Sequence, residues 1–339
     1  MAARRAAQAA EGRLEIPRQI PHLERYWRRV TTGGAACASG EWDLDNTLLA
    51  GLGINLREAG AFLCQPPAPT LEAFESWVLA ANGGAIEESR LRRLRDALAG
   101  KTVGSAAGCL DGVPGLTDDE LAFWDENGYV VAHDAVDAAT RDAAAAAIYS
   151  FLRASPEEPE SWYGKLDAAT IWVPLFRDPA LQAARRAPRV ARVFADLWGR
   201  EDLWAVVDQA GFNPPESAGW RFPGPHIHWD MTLAPPHVFG VQGILYLTDT
   251  PAEQGAFCCI PGFHRRLAAW LESLPAGEDP RQAIRREPGL VPIAGRAGDL
   301  VIWHQALPHA SSANRGRLPR VVQYMTLRPT RWPYTAEWL

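Results

Sequence analysis

Residues 298–327 read GDLVIWHQALPHASSANRGRLPRVVQYMTL. Two short apolar runs, DLVIWHQAL and RVVQYMTL, are rich in Val, Ile, Trp and Tyr and are bounded by Gly, Pro, Asp and Asn. That composition and punctuation predict two β-strands joined by a polar loop. Working outward, runs of the same kind recur from residue 202 onward: LWAVVDQAGF, FGVQGILYLTDT, GAFCCIPGF and GLVPIAG. Several short strands at such spacing predict a sandwich or barrel.

The chain ahead of this region changes period. PTLEAFESWVLAANGG sets Leu71, Phe74, Trp77 and Val78 on one helical face, with Thr70 as N-cap and Gly83-Gly84 as the stop. IEESRLRRLRDALAG repeats the pattern, and the Gly-rich KTVGSAAGCLDGVPG reads as a connector. A second start follows, with Thr117 and Glu120 as a capping box, a stop at Gly128, YVVAH as a strand and Asp137 opening an Ala-rich helix. Residues 155–180, rich in Pro and aromatics, predict a loop. PALQAARRAPRVARVFADLWG predicts a helical region interrupted at Pro188 and closed by Gly199. The expected class is therefore mainly β with flanking helices (α+β). Its expected division is a helical extension over residues 1–110 and a β-rich domain over 111–339.

A net charge of −6 and a pI of about 5.8 lack the basic surplus that a nucleic-acid-binding face needs. No apolar run approaches the roughly 20 residues that span a bilayer. The opening MAARRAAQAAEGR has no apolar core and does not read as a secretory signal; it is expected to be frayed. Five cysteines, Cys37, Cys64, Cys109, Cys258 and Cys259, are odd in number and lack CxxC spacing, which fits a reducing cytoplasm rather than a disulfide framework.

Upstream of the opening stretch, residues 223–233 read PGPHIHWDMTL. On a strand, positions i and i+2 face the same side, so His228 and Asp230 can converge while Trp229 faces away. His226 shares their parity and is not excluded by it. One imidazole and one carboxylate are two corners of the 2-His-1-carboxylate set that holds Fe(II) with open positions. HxD alone is a weak motif. A third ligand is expected from a distant strand, where His304 and His309 both stand. Arg320, eleven residues past His309, offers a planar guanidinium for the far carboxylate of a 2-oxoacid, and Ser311 a hydroxyl for the same group.

With these residues in view, about residues 116–330 resemble the phytanoyl-CoA dioxygenase family of Fe(II)/2-oxoglutarate oxygenases. LTDDELAFWDENGYVV resembles the family's opening helix and strand, and FRDPALQAARRAPRVARVFADLWG its helix before the barrel. LYLTDTPAEQGAFCCIPGFH and GDLVIWHQALPHASSANRGRLPR resemble its later strand and distal-histidine segments. The resemblance implies a double-stranded β-helix (jelly roll, cupin-like). It implies iron ligands at His228, Asp230 and His309, 2-oxoglutarate held by Arg320 and Ser311, and weaker polar contacts at Gln209 and Asn213. It also implies O2 as a reactant, succinate and CO2 as products, and hydroxylation or a related oxidation of a small molecule, with desaturation, cyclisation or epimerisation as other outcomes.

Rival readings are a cupin-like metal-dependent isomerase that does not use 2-oxoglutarate, and a non-catalytic metal-binding relative. His226 is expected at the pocket rim. Trp162, Tyr163, Lys165 and Trp172 are expected to lend the substrate pocket a lid. His264 is expected to be a turn residue, and Arg185, Arg186, Arg189 and Arg192 a solvated basic face. No nucleic-acid or membrane partner is expected, and the protein is expected to be a monomer or homodimer.

Overall fold

Strand β10 (Arg320–Met325) explains how one sequence serves two cores. Alternate side chains leave opposite faces of a strand, so Val321 and Met325 enter one apolar cluster while Val322 and Tyr324 enter another. β10 sits inside a six-stranded antiparallel sheet of order β1-β8-β5-β10-β4-β2. Its partners are β1 (Tyr129–Ala132), β2 (Trp172–Val173), β4 (Ala210–Asn213), β5 (Val241–Tyr246) and β8 (Leu300–His304). A three-stranded antiparallel sheet pairs β6 (Phe257–Cys259) with β7 (Val291–Ile293) and β9 (His309–Ser311). β3 (Leu203–Ala205) pairs with β11 (Leu327–Pro329).

This computed structural model describes residues 20–33 and 41–332. The expected frayed start and Cys37 lie outside the described residues. By packing, the chain divides into two units, Met1–Val103 with Thr330–Ala336, and Gly104–Pro329 with Glu337–Leu339. In the first unit, five described helices span Pro21–Thr31, Glu41–Leu52, Leu56–Leu63, Leu71–Ala81 and Glu88–Leu98. Leu23, Leu48, Leu52, Phe74, Val78, Leu91 and Leu94 are fully buried there. Thr70 caps its helix through the Ala73 amide.

In the second unit one face of the six-stranded sheet carries Phe212, Leu245, Leu300, Ile302, Val321 and Met325 against the helices Ala138–Leu152, Pro179–Arg185 and Pro188–Trp198. The other face packs Ile244, Tyr246, Val301, Trp303 and Val322 with Phe257, Cys259 and Ile293 of the small sheet. The class is thus mixed α+β with antiparallel sheets. Thr117 and Glu120 form the expected capping box, and Gly128, at φ 74°, ends that helix.

Several local readings differ. LWAVVDQAGF splits into β3 and β4 in separate sheets. Residues 155–180 contain a 3-10 turn at Pro159–Tyr163 and the short β2. A helix, Phe263–Ser273, starts at Phe263, so His264 lies in its first turn. The basic face is not left to solvent. Arg185 is buried with its guanidinium on the Phe176 and Asp208 carbonyls, Arg189 reaches the His133 and Pro114 carbonyls, and Arg192 pairs with Asp196; only Arg186 is exposed. Arg185 and Arg189 thereby satisfy loop carbonyls that no ladder reaches. Cys64, Cys109, Cys258 and Cys259 are free thiols. No described helix is long and apolar enough to cross a membrane.

His304 ends β8 with its ring among Trp124, Phe239 and His264 at centroid distances of 6.3, 5.3 and 5.3 Å. Burial, reinforced by the neighbouring His264, pushes its pKa down to about 4. The unfolded chain binds this proton near pH 6.5, so lowering the pH from 6.5 towards 4 favours unfolding, with no further loss from this group below about 4. At pH 5 the contribution is about 2 kcal/mol relative to pH 7. Urea denaturation at the two pH values should show a smaller loss for His304→Phe than for the native chain.

Candidate metal centre

The centre begins with a backbone pairing. His309 on β9 and His228 form an isolated antiparallel bridge, His228 N to His309 O at 2.9 Å and His309 N to His228 O at 3.0 Å. Directly opposed residues of an antiparallel pair project to the same side. The two rings accordingly lie 4.5 Å apart by centroid. Two residues on, the Asp230 carboxylate meets both: Oδ1 is 3.4 Å from His228 Nε2, and Oδ2 is 3.4 Å from His309 Nε2. The three donor atoms all lie within 4.8 Å of one another. Trp229 leaves the other way, buried, with its indole N–H on the Ala306 carbonyl at 2.9 Å and its ring against Phe263 and Trp270. The parity of a strand thus operates here, although only His228 makes a bridge and the chain bends at Asp230.

Both imidazoles are held in one tautomer. His228 Nδ1 lies 2.7 Å from the His226 carbonyl and His309 Nδ1 lies 3.1 Å from that of Leu307. A carbonyl only accepts, so each Nδ1 carries a hydrogen, which leaves Nε2 as the atom turned towards Asp230 and the position a metal would take. Gln242, from β5, donates to Asp230 Oδ2 at 2.9 Å. Burial pushes the Asp230 carboxyl up, but hydrogen bonds to the two imidazoles and their charges prevail and hold it well below the usual carboxylate range. Burial opposes protonation of His228, yet the Asp230 carboxylate prevails and raises its pKa. The donor set suits a cation: one firmly ionised carboxylate and two Nε2 atoms turned towards it.

Two residues along β9 from His309 stands Ser311, whose hydroxyl accepts from Arg320 Nη1 at 3.2 Å. Arg320 is fully buried, and its Nε and Nη2 find no acceptor in hydrogen-bonding geometry among the described residues. Tyr324, whose phenol is pushed up by burial against the opposing Arg320 charge, lies beside it. Asn213, directly opposite Arg320 in the β10–β4 register, is buried with Nδ2 on the Ser312 carbonyl at 3.0 Å and Oδ1 unpartnered. A buried guanidinium with two idle donors is expensive in water-free surroundings. It is the chemistry of an anion subsite.

The remaining expected site residues divide. His226 is exposed, edge-on to Phe222, and lends the centre only its carbonyl. Gln209 stands just before β4, its carbonyl accepting from the Tyr324 amide at 3.2 Å. Trp172, on β2, lies opposite Gly211 and beside Tyr324. Trp162 is not a lid residue: it is buried in the helix-side core, with its indole N–H on the Ser155 carbonyl. Lys165 turns away as well, its ammonium on the Phe151 carbonyl at 2.6 Å and over the Phe151 ring. Both capture carbonyls of their own neighbourhood that the surrounding loop leaves open. Tyr163 bonds the Pro215 carbonyl at 3.0 Å. His304 and His264 stack together and are absent from the donor cluster. Gln242 escaped the sequence reading; its signal is a polar residue inside the apolar run FGVQGILYLTDT.

The profile of the phytanoyl-CoA dioxygenase family matches residues 124–322, which include the three donors and Arg320. The chain belongs to that family. A curated Dictyostelium discoideum protein named "Putative phytanoyl-CoA dioxygenase" is 26% identical over 196 residues, 46% of this chain and 56% of that protein. The match thus spans little more than half of that relative's length. Solved structures with partial likeness include the non-haem alpha-ketoglutarate-dependent epimerase SnoN of nogalamycin biosynthesis (19% identity, 62% of this chain and 82% of that chain, TM-score 0.46). Another is HygX from Streptomyces hygroscopicus with nickel and 2-oxoglutarate bound (17% identity, 64% and 88%, TM-score 0.47).

Replacing Gln242 by Leu removes the donor to Asp230 Oδ2 while retaining volume. Divalent-metal affinity, measured by Co(II) titration, should fall about 10- to 100-fold, as expected when a hydrogen bond that orients a metal ligand is lost.

Proposed function

We propose that the protein is an Fe(II)- and 2-oxoglutarate-dependent oxygenase that hydroxylates a small molecule, and that its two stacked sheets form a double-stranded β-helix. The observation that carries this reading is Arg320: a fully buried guanidinium with two unfilled donors, joined to Ser311, two residues from His309 on the same strand. A metal centre alone has no need of it. A co-substrate with one carboxylate for the metal end and a second for a buried cation does.

The donor set fits the cofactor. His228, Asp230 and His309 would hold iron through two Nε2 atoms and one carboxylate, which leaves positions for other ligands. Bound there, iron with 2-oxoglutarate and O2 supplies oxidation of a C–H bond, coupled to conversion of the 2-oxoacid to succinate and CO2. This chain's residues supply the rest. Arg320 binds and orients the distal carboxylate, with bidentate geometry available to its idle Nε and Nη2. Ser311 fixes the guanidinium and can donate its own proton to the same carboxylate. Asn213 and Tyr324 border that subsite and exclude bulk water from it. Gln242 keeps the carboxylate of Asp230 aimed at the two imidazoles. The isomerase reading and the non-catalytic metal-binding reading both leave the buried Arg320 without a task.

Anaerobic addition of Fe(II) and 2-oxoglutarate should produce a visible charge-transfer band. Asp230→Ala should abolish it together with metal binding. Arg320→Ala should retain metal binding and weaken 2-oxoglutarate binding by at least about 100-fold, equivalent to roughly 3 kcal/mol. Undiminished 2-oxoglutarate affinity in Arg320→Ala would overturn the assignment.

A further inference from the structure

Resting on the metal-centre reading above, we infer that Arg281 is a positioning residue for the metal, a side chain that takes the place of a missing β-strand beside Asp230. The segment that carries His228 and Asp230 is an edge. Beyond the bridge to His309 it belongs to no described strand, and it bends at Asp230. In an extended pair, the residues that alternate with a bridged one turn their carbonyls away from the partner. With His228 bonded to His309, Trp229 and Met231 are such residues. Their carbonyls would be left facing outward.

Arg281 takes both. Its Nη1 donates to the Trp229 carbonyl at 3.0 Å and its Nη2 to the Met231 carbonyl at 2.8 Å. A single planar fork therefore straddles Asp230 along the backbone, and the two contacts bound the bend that turns its carboxylate towards the imidazoles. The fork is itself held. Arg281 lies in the short helix Pro280–Ala283, whose N-cap Asp279 accepts from the Arg281 amide at 2.8 Å. The side chain of the first of these residues, Trp229, is locked separately through Ala306, Phe263 and Trp270. Backbone and side chain beside the ligand are thus fixed by different groups, and Arg281 fixes the backbone past the bridge at His228. A lysine, a point charge without a fork, cannot satisfy both carbonyls in one plane.

The test compares Co(II) affinity and the Co(II) d–d spectrum of the full chain with those of Arg281→Gln, Arg281→Lys and Arg286→Gln. Arg286 pairs with Glu278 in the same segment and touches neither carbonyl, so it reports on the segment's general stability. Arg281→Gln should bind Co(II) about 10- to 100-fold more weakly with an altered d–d spectrum, and Arg281→Lys should recover part of the loss. Arg286→Gln should match the native affinity, and all the metal-free proteins should retain a cooperative thermal transition. Native affinity and spectrum in Arg281→Gln would overturn the clamp while leaving the metal centre standing, as would an equal loss in Arg286→Gln. Absence of Co(II) binding by the native chain would overturn the metal centre and the clamp together.

Discussion

The two backbone hydrogen bonds between His228 and His309 are the constraint on which the rest of the site depends. Each contributes only about 0.5–1.5 kcal/mol net, but together they set register. Because the side-chain period of a strand is two, a one-residue slip of either segment would turn its imidazole away from the other. In the observed register the rings meet, Asp230 falls two residues beyond His228, and Ser311 falls two beyond His309. The convergence of His228, Asp230 and His309 and the placing of Ser311 beside Arg320 are thus consequences of one pairing.

Around that pairing, mobility is removed in different ways for different ligands. His309 sits on β9, inside a sheet, and stacks near Phe257 and Trp303 at 6.0 and 5.1 Å. Its position follows from packing. His228 and Asp230 lie on an irregular edge and depend on polar contacts: the His226 carbonyl, Gln242 and Arg281. This division has a chemical logic. A carboxylate ligand that is half exposed needs partners that fix its direction, because apolar packing cannot orient an ionised group.

Much of the centre was legible in the sequence because its logic is local. Parity placed His228 with Asp230 and sent Trp229 the other way, and short punctuated runs located β1, β5, β6, β7, β8 and β10. The choice between His304 and His309 was open to spacing alone; the fold decides it, since His304 ends β8 beside His264 whereas His309 opposes His228. Trp162 and Lys165 misled because a loop rich in aromatics and Pro reads as a lid, while nearby backbone carbonyls in fact engage both polar tips, Trp162 in the core and Lys165 at the surface. Gln242 and Arg281 were invisible for a related reason. Each acts through tertiary contacts from a distant element: Gln242 is marked in the sequence only as a polar residue in an apolar run, and Arg281 not at all.

Arg320 ties stability to ligand chemistry. A fully buried guanidinium with two idle donors destabilises the fold relative to one whose donors are filled. Replacing it with a well-packed apolar side chain would relieve that cost, yet the subsite would then lose its only described buried cation beside Ser311. The energy withheld from folding is available to an anion that fills both donors, since any ligand that binds only the folded chain returns its binding free energy to stability. Specificity follows from the same arrangement. A ligand group that failed to reach Arg320 would leave those donors empty, and an uncharged one would leave the cation unpaired, each at the cost of burying what remains unsatisfied.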